Sequence, residues 1–196
     1  MTDKLTIDDI ADLREYERER EQFRAHVIAL KKKRRIGVGP FVTLVFENRD
    51  TIRFQIQEMA RAERMLSDDA IQTELDIFNP LIPSPGRLCA TLFVELTSKD
   101  ELVEWLPKLV GIERAVQLRI GTEVVPSTPE TAHEEQLTRE DITASVHYVW
   151  FDLSDDQVAA LTGGDADVTL EIDHPEYRHA TTLLGDTIAE LAADAR

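Results

Sequence analysis

The sequence predicts an α+β protein: a mostly antiparallel sheet with packed helices and an N-terminal helical arm. Three observations lead there. A long helical pattern comes before any strand, apolar alternation of period two then recurs in five short stretches, and helices separate those stretches at irregular intervals. A doubly wound parallel sheet would show strict strand and helix alternation instead. The 196 residues suit one α+β domain over 1–196, with 1–35 as its helical arm.

The elements follow in chain order. Thr6-Ile-Asp-Asp9 has the order of a capping box, with Asp in place of Glu, and predicts a short helix. Over residues 14–33, Tyr16, Phe23, Val27 and Leu30 form one stripe opposite dense Glu/Arg pairing, so this helix should pack along a sheet or against a second copy in a homodimer. Ile36, Val38, Val42, Leu44 and Phe46 alternate through Gly39-Pro40, a strand with a kink or edge at the proline. Ile52, Ile56, Met59, Glu63 and Leu66 share one helical face, predicting an amphipathic helix over 52–66. A helix over 69–78 stops at Asn79-Pro80, and the segment Asn79-Pro-Leu-Ile-Pro83 reads as a loop suited to closing over a site. Leu88–Leu96 is a strand, and Ser98-Lys-Asp-Glu101 caps a helix reaching Leu109. Further strands are expected at 115–120, 145–153 and 168–172, further helices at 154–161 and 186–193, and a solvated loop at 126–140. The strands at 36–47, 88–96, 145–153 and 168–172 are expected in one sheet, with the 52–66 helix on it through Ile56, Met59 and Leu66.

Charge and composition narrow the function classes. The net charge is −16, and residues 121–196 carry three Arg against seventeen acids, which argues against a nucleic-acid surface there. The basic run Lys31-Lys-Lys-Arg-Arg35 reads more simply as cations at the negative end of a helix, so no nucleic-acid partner is expected. No apolar run is long enough to cross a bilayer, and the first ten residues are too polar for a signal peptide. The expectation is a cytoplasmic protein with no membrane partner. The lone Cys89, inside an apolar run, reads as a silent core residue.

The residues with chemical potential fall in two groups. Glu47, Arg49, Arg53, Gln57 and Glu58 crowd a strand-to-helix junction, where free N–H donors and cations suit an anionic or amide-bearing ligand. Glu63 shares the apolar face of the helix, and a buried carboxylate needs a partner; it is therefore a ligand, acid or base, or the ion-pair partner of Arg49, Arg53 or Arg61. His147, His174 and His179 form the second group. With Glu63 or Glu47 they would make a His/carboxylate site for iron, manganese or zinc, and otherwise they are satisfied turn histidines. Glu47, Arg49, Arg53, Gln57 and Glu63 are thus ligand-binding candidates, and His147, His174, His179 and Glu63 metal candidates. Glu47, Arg49, Arg53, Gln57 and Glu63 are expected to converge with His147 and His174 on one concave surface under the 79–83 loop.

Four blocks carry a family resemblance: Glu21–Arg35, Phe46–Met59, Glu74–Pro83 and Asp173–His179. They resemble an uncharacterised bacterial family, a domain of unknown function often encoded beside a rubrerythrin-like protein and an iron–sulfur oxidoreductase. The resemblance implies an accessory or binding protein of a peroxide- or iron-stress redox system, with those two proteins as partners. It supplies no catalytic residue. The alternative from the residues themselves is a metal-dependent enzyme or iron-binding protein using the His/Glu cluster.

Overall fold

Asp12 starts the first helix, α1 (Leu13–Arg34), by accepting from the backbone N–H groups of Arg14 and Glu15, both at 2.9 Å. These are two of the donors that a helix start leaves unpaired. The computed structural model describes residues 4–130, 142–164 and 166–196. After α1 come β1 (Arg35–Val38), β2 (Val42–Phe46), α2 (Arg49–Glu63), α3 (Asp68–Phe78) and a tight turn over Asn79–Leu81. Then follow β3 (Arg87–Val94), α4 (Lys99–Trp105), β4 (Val116–Ile120), β5 (Glu123–Pro126), β6 (Thr128–Pro129) and β7 (Val146–Asp152). The chain ends with α5 (Asp155–Gly163), β8 (Val168–His174), β9 (Tyr177–Thr182) and α6 (Gly185–Asp194). The fold is α+β, with two antiparallel sheets ordered β1-β2-β3-β7-β6 and β5-β4-β8-β9.

Period-two alternation decides what each face of the first sheet meets. Leu44, Phe46, Leu88, Leu92 and Phe151 point into one core shared with Leu118 and Leu170 of the second sheet, Leu161 of α5 and Leu191 of α6. On the other face, Cys89 and Trp150 pack with Ile52 and Ile56 of α2, Leu75 and Phe78 of α3, and Leu81. Helices α2 and α3 thus cover one face of the first sheet, and the second sheet with α5 and α6 covers the other.

The turn between β1 and β2 is tied to the second sheet. The Tyr177 hydroxyl donates to the Val38 carbonyl at 2.7 Å and accepts from the backbone N–H groups of Val42 and Phe41 at 3.2 and 3.3 Å. Gly39, at φ 78°, sits so close that a Cβ there would lie 2.5 Å from the Tyr177 oxygen and from His179 Cγ. Only glycine fits both that backbone and that contact.

Several expectations change, and the strand expected to run through Gly39-Pro40 is the antiparallel pair β1 and β2. The 168–172 strand is β8 and belongs to the second sheet, paired with β4 and β9. Both sheets bury one face in the same core, so alternation alone does not say which sheet a strand joins. Strands β5 and β9 also went unread, because β9 exposes most of its residues and carries almost no apolar alternation. The second helix ends at Glu63, three residues before its expected end. Arg64 takes the left-handed conformation at φ 54°, and the Met65 N–H closes the turn on the Ala60 carbonyl at 2.9 Å. Ile56 is fully buried and Met59 half-buried as the stripe requires, whereas Leu66 is 87% exposed. Residues 131–140 of the expected loop, with His133, lie outside the described residues, while Pro126 ends β5 and Thr128 and Pro129 form β6.

The arm helix lies on α2 and is pinned at its basic end. Arg34, 1% exposed, reaches Asp194 at 2.5 and 3.2 Å and Glu190 at 3.0 Å. Lys33 also pairs with Glu190, and Arg35 with Glu95. Three of the five cations in the run 31–35 are therefore matched to specific acids. No described helix is long and apolar enough to cross a membrane.

Candidate functional site

Between the first sheet and the helical layer lies a cavity of about 260 Å³. Its position follows from strand alternation. Phe46 points into the core, so Glu47, one residue on, points to the opposite face, where its N–H extends the ladder by donating to the Cys89 carbonyl at 2.8 Å. Thr91 on β3 takes that same face, between the core-facing Ala90 and Leu92, and Tyr148 stands directly across from it on β7. Glu47, Thr91 and Tyr148 form the polar floor, Lys31 of α1 and Gln55 of α2 add to the rim, and Ile52, Phe78, Leu81, Phe93 and Val146 supply apolar wall.

Glu47 is held from both sides. Thr51, in the first turn of α2, donates to Oε2 at 2.5 Å, and Thr91 donates to Oε1 at 2.6 Å. Hydrogen bonds to a carboxylate are short and strong, so the group is fixed in orientation although only 7% exposed. Thr51 is itself placed by the helix start, where its hydroxyl accepts from the Asn48 N–H and the Asn48 side chain accepts from the Thr51 N–H. Burial, with the Glu47 charge next, raises the Tyr148 phenol and pushes the Cys89 thiol well above its ordinary range.

Of the expected ligand-binding residues, Glu47 lines this cavity and the others do not. Arg49 pairs with Asp9 at 2.5 Å. Arg53 donates to the Asp9 carbonyl and to Glu19, both at 2.8 Å, and stacks over Phe23. Gln57, fully buried, brackets Ala11, accepting from its N–H at 2.8 Å and donating to its carbonyl at 3.2 Å. Glu58, whose carboxyl Arg20 holds below the usual range with help from Tyr16, completes the set. The polar side of α2 fastens the N-terminal segment and α1. Glu63 corrects the reading most: it is exposed at the helix end, and Arg49, Arg53 and Arg61 pair with Asp9, Glu19 and Glu17 instead.

The three histidines are not brought to Glu63 or Glu47. His147 stands across from Leu92 and therefore points into the core, on the opposite sheet face from Glu47. Its Nε2 lies 3.0 Å from the Ala144 carbonyl and 2.9 Å from the Thr143 hydroxyl. The His174 Nε2 donates to the Val110 carbonyl at 3.0 Å while its Nδ1 accepts from the Glu176 N–H at 3.3 Å, which leaves no lone pair for a metal. His179 is exposed on β9 and packs on Tyr177. Among the described residues no group of three or more His, Cys, Asp or Glu is placed to hold a metal ion.

Lys31, Thr91 and Tyr148 escaped the sequence reading. Lys31 was absorbed into the basic helix end, and Thr91 into the apolar run around Cys89. The signal was nevertheless present: on the alternation that buries Leu88, Ala90 and Leu92, Thr91 falls on the same face as the residue after Phe46.

The family model for DUF3501, described as a protein of unknown function, matches residues 4–195. The chain belongs to the DUF3501 family. A solved structure of a novel protein of unknown function from Burkholderia pseudomallei is 38% identical and superposes with a TM-score of 0.90, covering 98% of this chain and 100% of that one. Among curated proteins none matches. The DUF3501 fold is thus shared along the whole chain, and the site must be argued from its own residues.

Proposed function

We propose that this DUF3501 protein is a binding protein, with the cavity beneath Phe78 and Leu81 as the site for a small molecule. The observation that carries the reading is the clamping of Glu47, a buried carboxylate oriented by two threonine hydroxyls at the edge of an apolar-walled cavity. Such a mixture of apolar wall and few fixed polar groups is the usual make-up of a ligand site. Burial keeps the nearby Cys89 thiol protonated, so it contributes packing rather than a nucleophile.

The Asn79–Leu81 turn, one wall of the site, is strapped by the N-terminal segment. Lys4 donates to the Asn79 and Ile82 carbonyls at 2.8 and 3.0 Å, and the Asn79 amide brackets the Leu5 backbone with two bonds of 2.8 Å. In the redox setting that the family resemblance implies, the protein would act as an accessory to a rubrerythrin-like protein and an iron–sulfur oxidoreductase, holding a small molecule for them. Native mass spectrometry of protein purified without dialysis tests the binding role. The expected result is a non-covalent small-molecule adduct, restored from cell extract after its removal, and lost in Val146→Phe, which fills the cavity. A wild type that takes up nothing, like the filled variant, would end the reading.

A further inference from the structure

Resting on that cavity as a ligand site, we infer that its ligand is a small zwitterion with an apolar side chain, of the amino-acid type, whose carboxylate meets Lys31 and whose ammonium meets Glu47. Two opposite charges face the cavity without a charged partner. Glu47 receives only the neutral hydroxyls of Thr51 and Thr91, and no described cation pairs with it. A carboxylate has about four acceptor positions, so two hydroxyls leave room for ammonium donors. In the basic run Lys33, Arg34 and Arg35 have acid partners, whereas no described carboxylate pairs with Lys31 or the exposed Lys32, and of these two Lys31 alone lines the cavity. Nor do Lys31 and Glu47 pair with each other.

Ligand chemistry follows from those two charges. An unmatched buried charge is costly, as for Glu47, and the half-buried Lys31 offers the opposite charge at the rim of the same cavity. A simple anion would satisfy Lys31 and leave Glu47 facing another negative group, while a simple amine would do the reverse. A zwitterion satisfies both. The volume of about 260 Å³ corresponds to roughly eight or nine waters at about 30 Å³ each, which suits an amino acid with a medium-sized apolar side chain. Ile52, Phe78, Leu81 and Phe93 offer that side chain its wall.

Isothermal titration with a panel of apolar L-amino acids tests the inference, using L-leucine alongside isocaproate, which lacks the amine, and isoamylamine, which lacks the carboxylate. At least one amino acid should bind, with each truncated analogue about tenfold or more weaker, because a site built for a polar group rejects the analogue lacking it. Lys31→Met should abolish the preference for L-leucine over isoamylamine, and Glu47→Gln the preference over isocaproate. Lys31 is half-buried on a helix surface, so its variant remains informative if Glu47→Gln fails to fold. Failure of the whole panel, or equal binding of amino acid and either analogue, would overturn the zwitterion. The binding role would then survive if native mass spectrometry still showed an adduct sensitive to Val146→Phe, and would fall if it did not.

Discussion

The two faces of the first sheet come from the same strands and meet different demands. On the inner face, Phe46, Leu92 and Phe151 are at most 1% exposed and touch a second sheet. His147, the polar residue there, bonds to groups three and four residues away in its own chain. The outer face alternates Cys89 and Trp150 with Thr91 and Tyr148 and adds Glu47, so apolar packing is interrupted by polar groups, of which Thr91 bonds to Glu47. Apolar packing is uninterrupted where the two sheets share a core. The face covered by helices tolerates a cavity and a buried carboxylate.

The largest expected effect lies on the inner face. Phe151→Ala should cost about 3–5 kcal/mol in urea unfolding, through lost burial and the cavity left behind. We propose that residues 1–196 unfold as one domain, so both tryptophans, Trp105 and Trp150, should report the same shifted transition. A loss no greater than that of an outer-face substitution would break the contrast.

Arg34→Met comes next, since it tests how the helical layer is attached to the rest. Removing the guanidinium strands Asp194 and leaves Glu190 with Lys33 alone, and breaking a buried pair from one side costs about 3 kcal/mol or more. Hydrogen exchange should rise first along the second half of α1. Unchanged protection there would show that the arm is held by its apolar stripe alone.

How much of this was legible in the sequence depended on whether a signal was local. The α+β class, the capped start at Ser98, and the apolar stripes of α1 and α2 were readable because each is set within a few turns of chain. Sheet membership was not, since β8 carries the same alternation in either sheet. Leu66 was misplaced because periodicity continues past a helix end, and the left-handed Arg64 carries no glycine to announce it; Glu63, the last helical residue, is exposed there. The arginines of α2 and Gln57 were correctly marked as crowded, but their partners, Asp9, Glu19 and Ala11, lie more than thirty residues away. At the cavity, Glu47 was visible as a charged residue after an apolar strand. Lys31 and Tyr148 meet it only through tertiary packing.

Within the outer face, Thr91→Val sharpens the comparison by removing one hydroxyl at nearly constant shape. Glu47 then keeps Thr51 and loses Thr91, which should cost about 1–2 kcal/mol as a lost donor to a buried charged group. Binding of the cavity ligand should weaken as Glu47 loses its fixed orientation. If stability falls while binding is untouched, the threonine serves only the fold.

The smallest effect separates partnered from unpartnered carboxylates in the same helical layer. Glu74 of α3 is 8% exposed and its Oε2 has no hydrogen-bond partner, in contrast to Glu47 with its two hydroxyls. Burial, reinforced by the charge of Glu63, raises the Glu74 carboxyl above its ordinary range. The unfolded chain therefore ionises Glu74 first as pH rises, and folded stability falls across the interval between the unfolded and the raised folded value. Below that interval both states are protonated and there is no penalty. Glu74→Gln should accordingly stabilise the protein by about 1 kcal/mol near neutral pH, the scale of an unsatisfied buried group. The gain should vanish below about pH 3, under the usual carboxylate range. Thermal unfolding at both pH values measures this directly. Equal stabilisation at both would assign the gain to packing, whereas destabilisation at neutral pH would mean that the ionised Glu74 is satisfied and that the two carboxylates are alike after all.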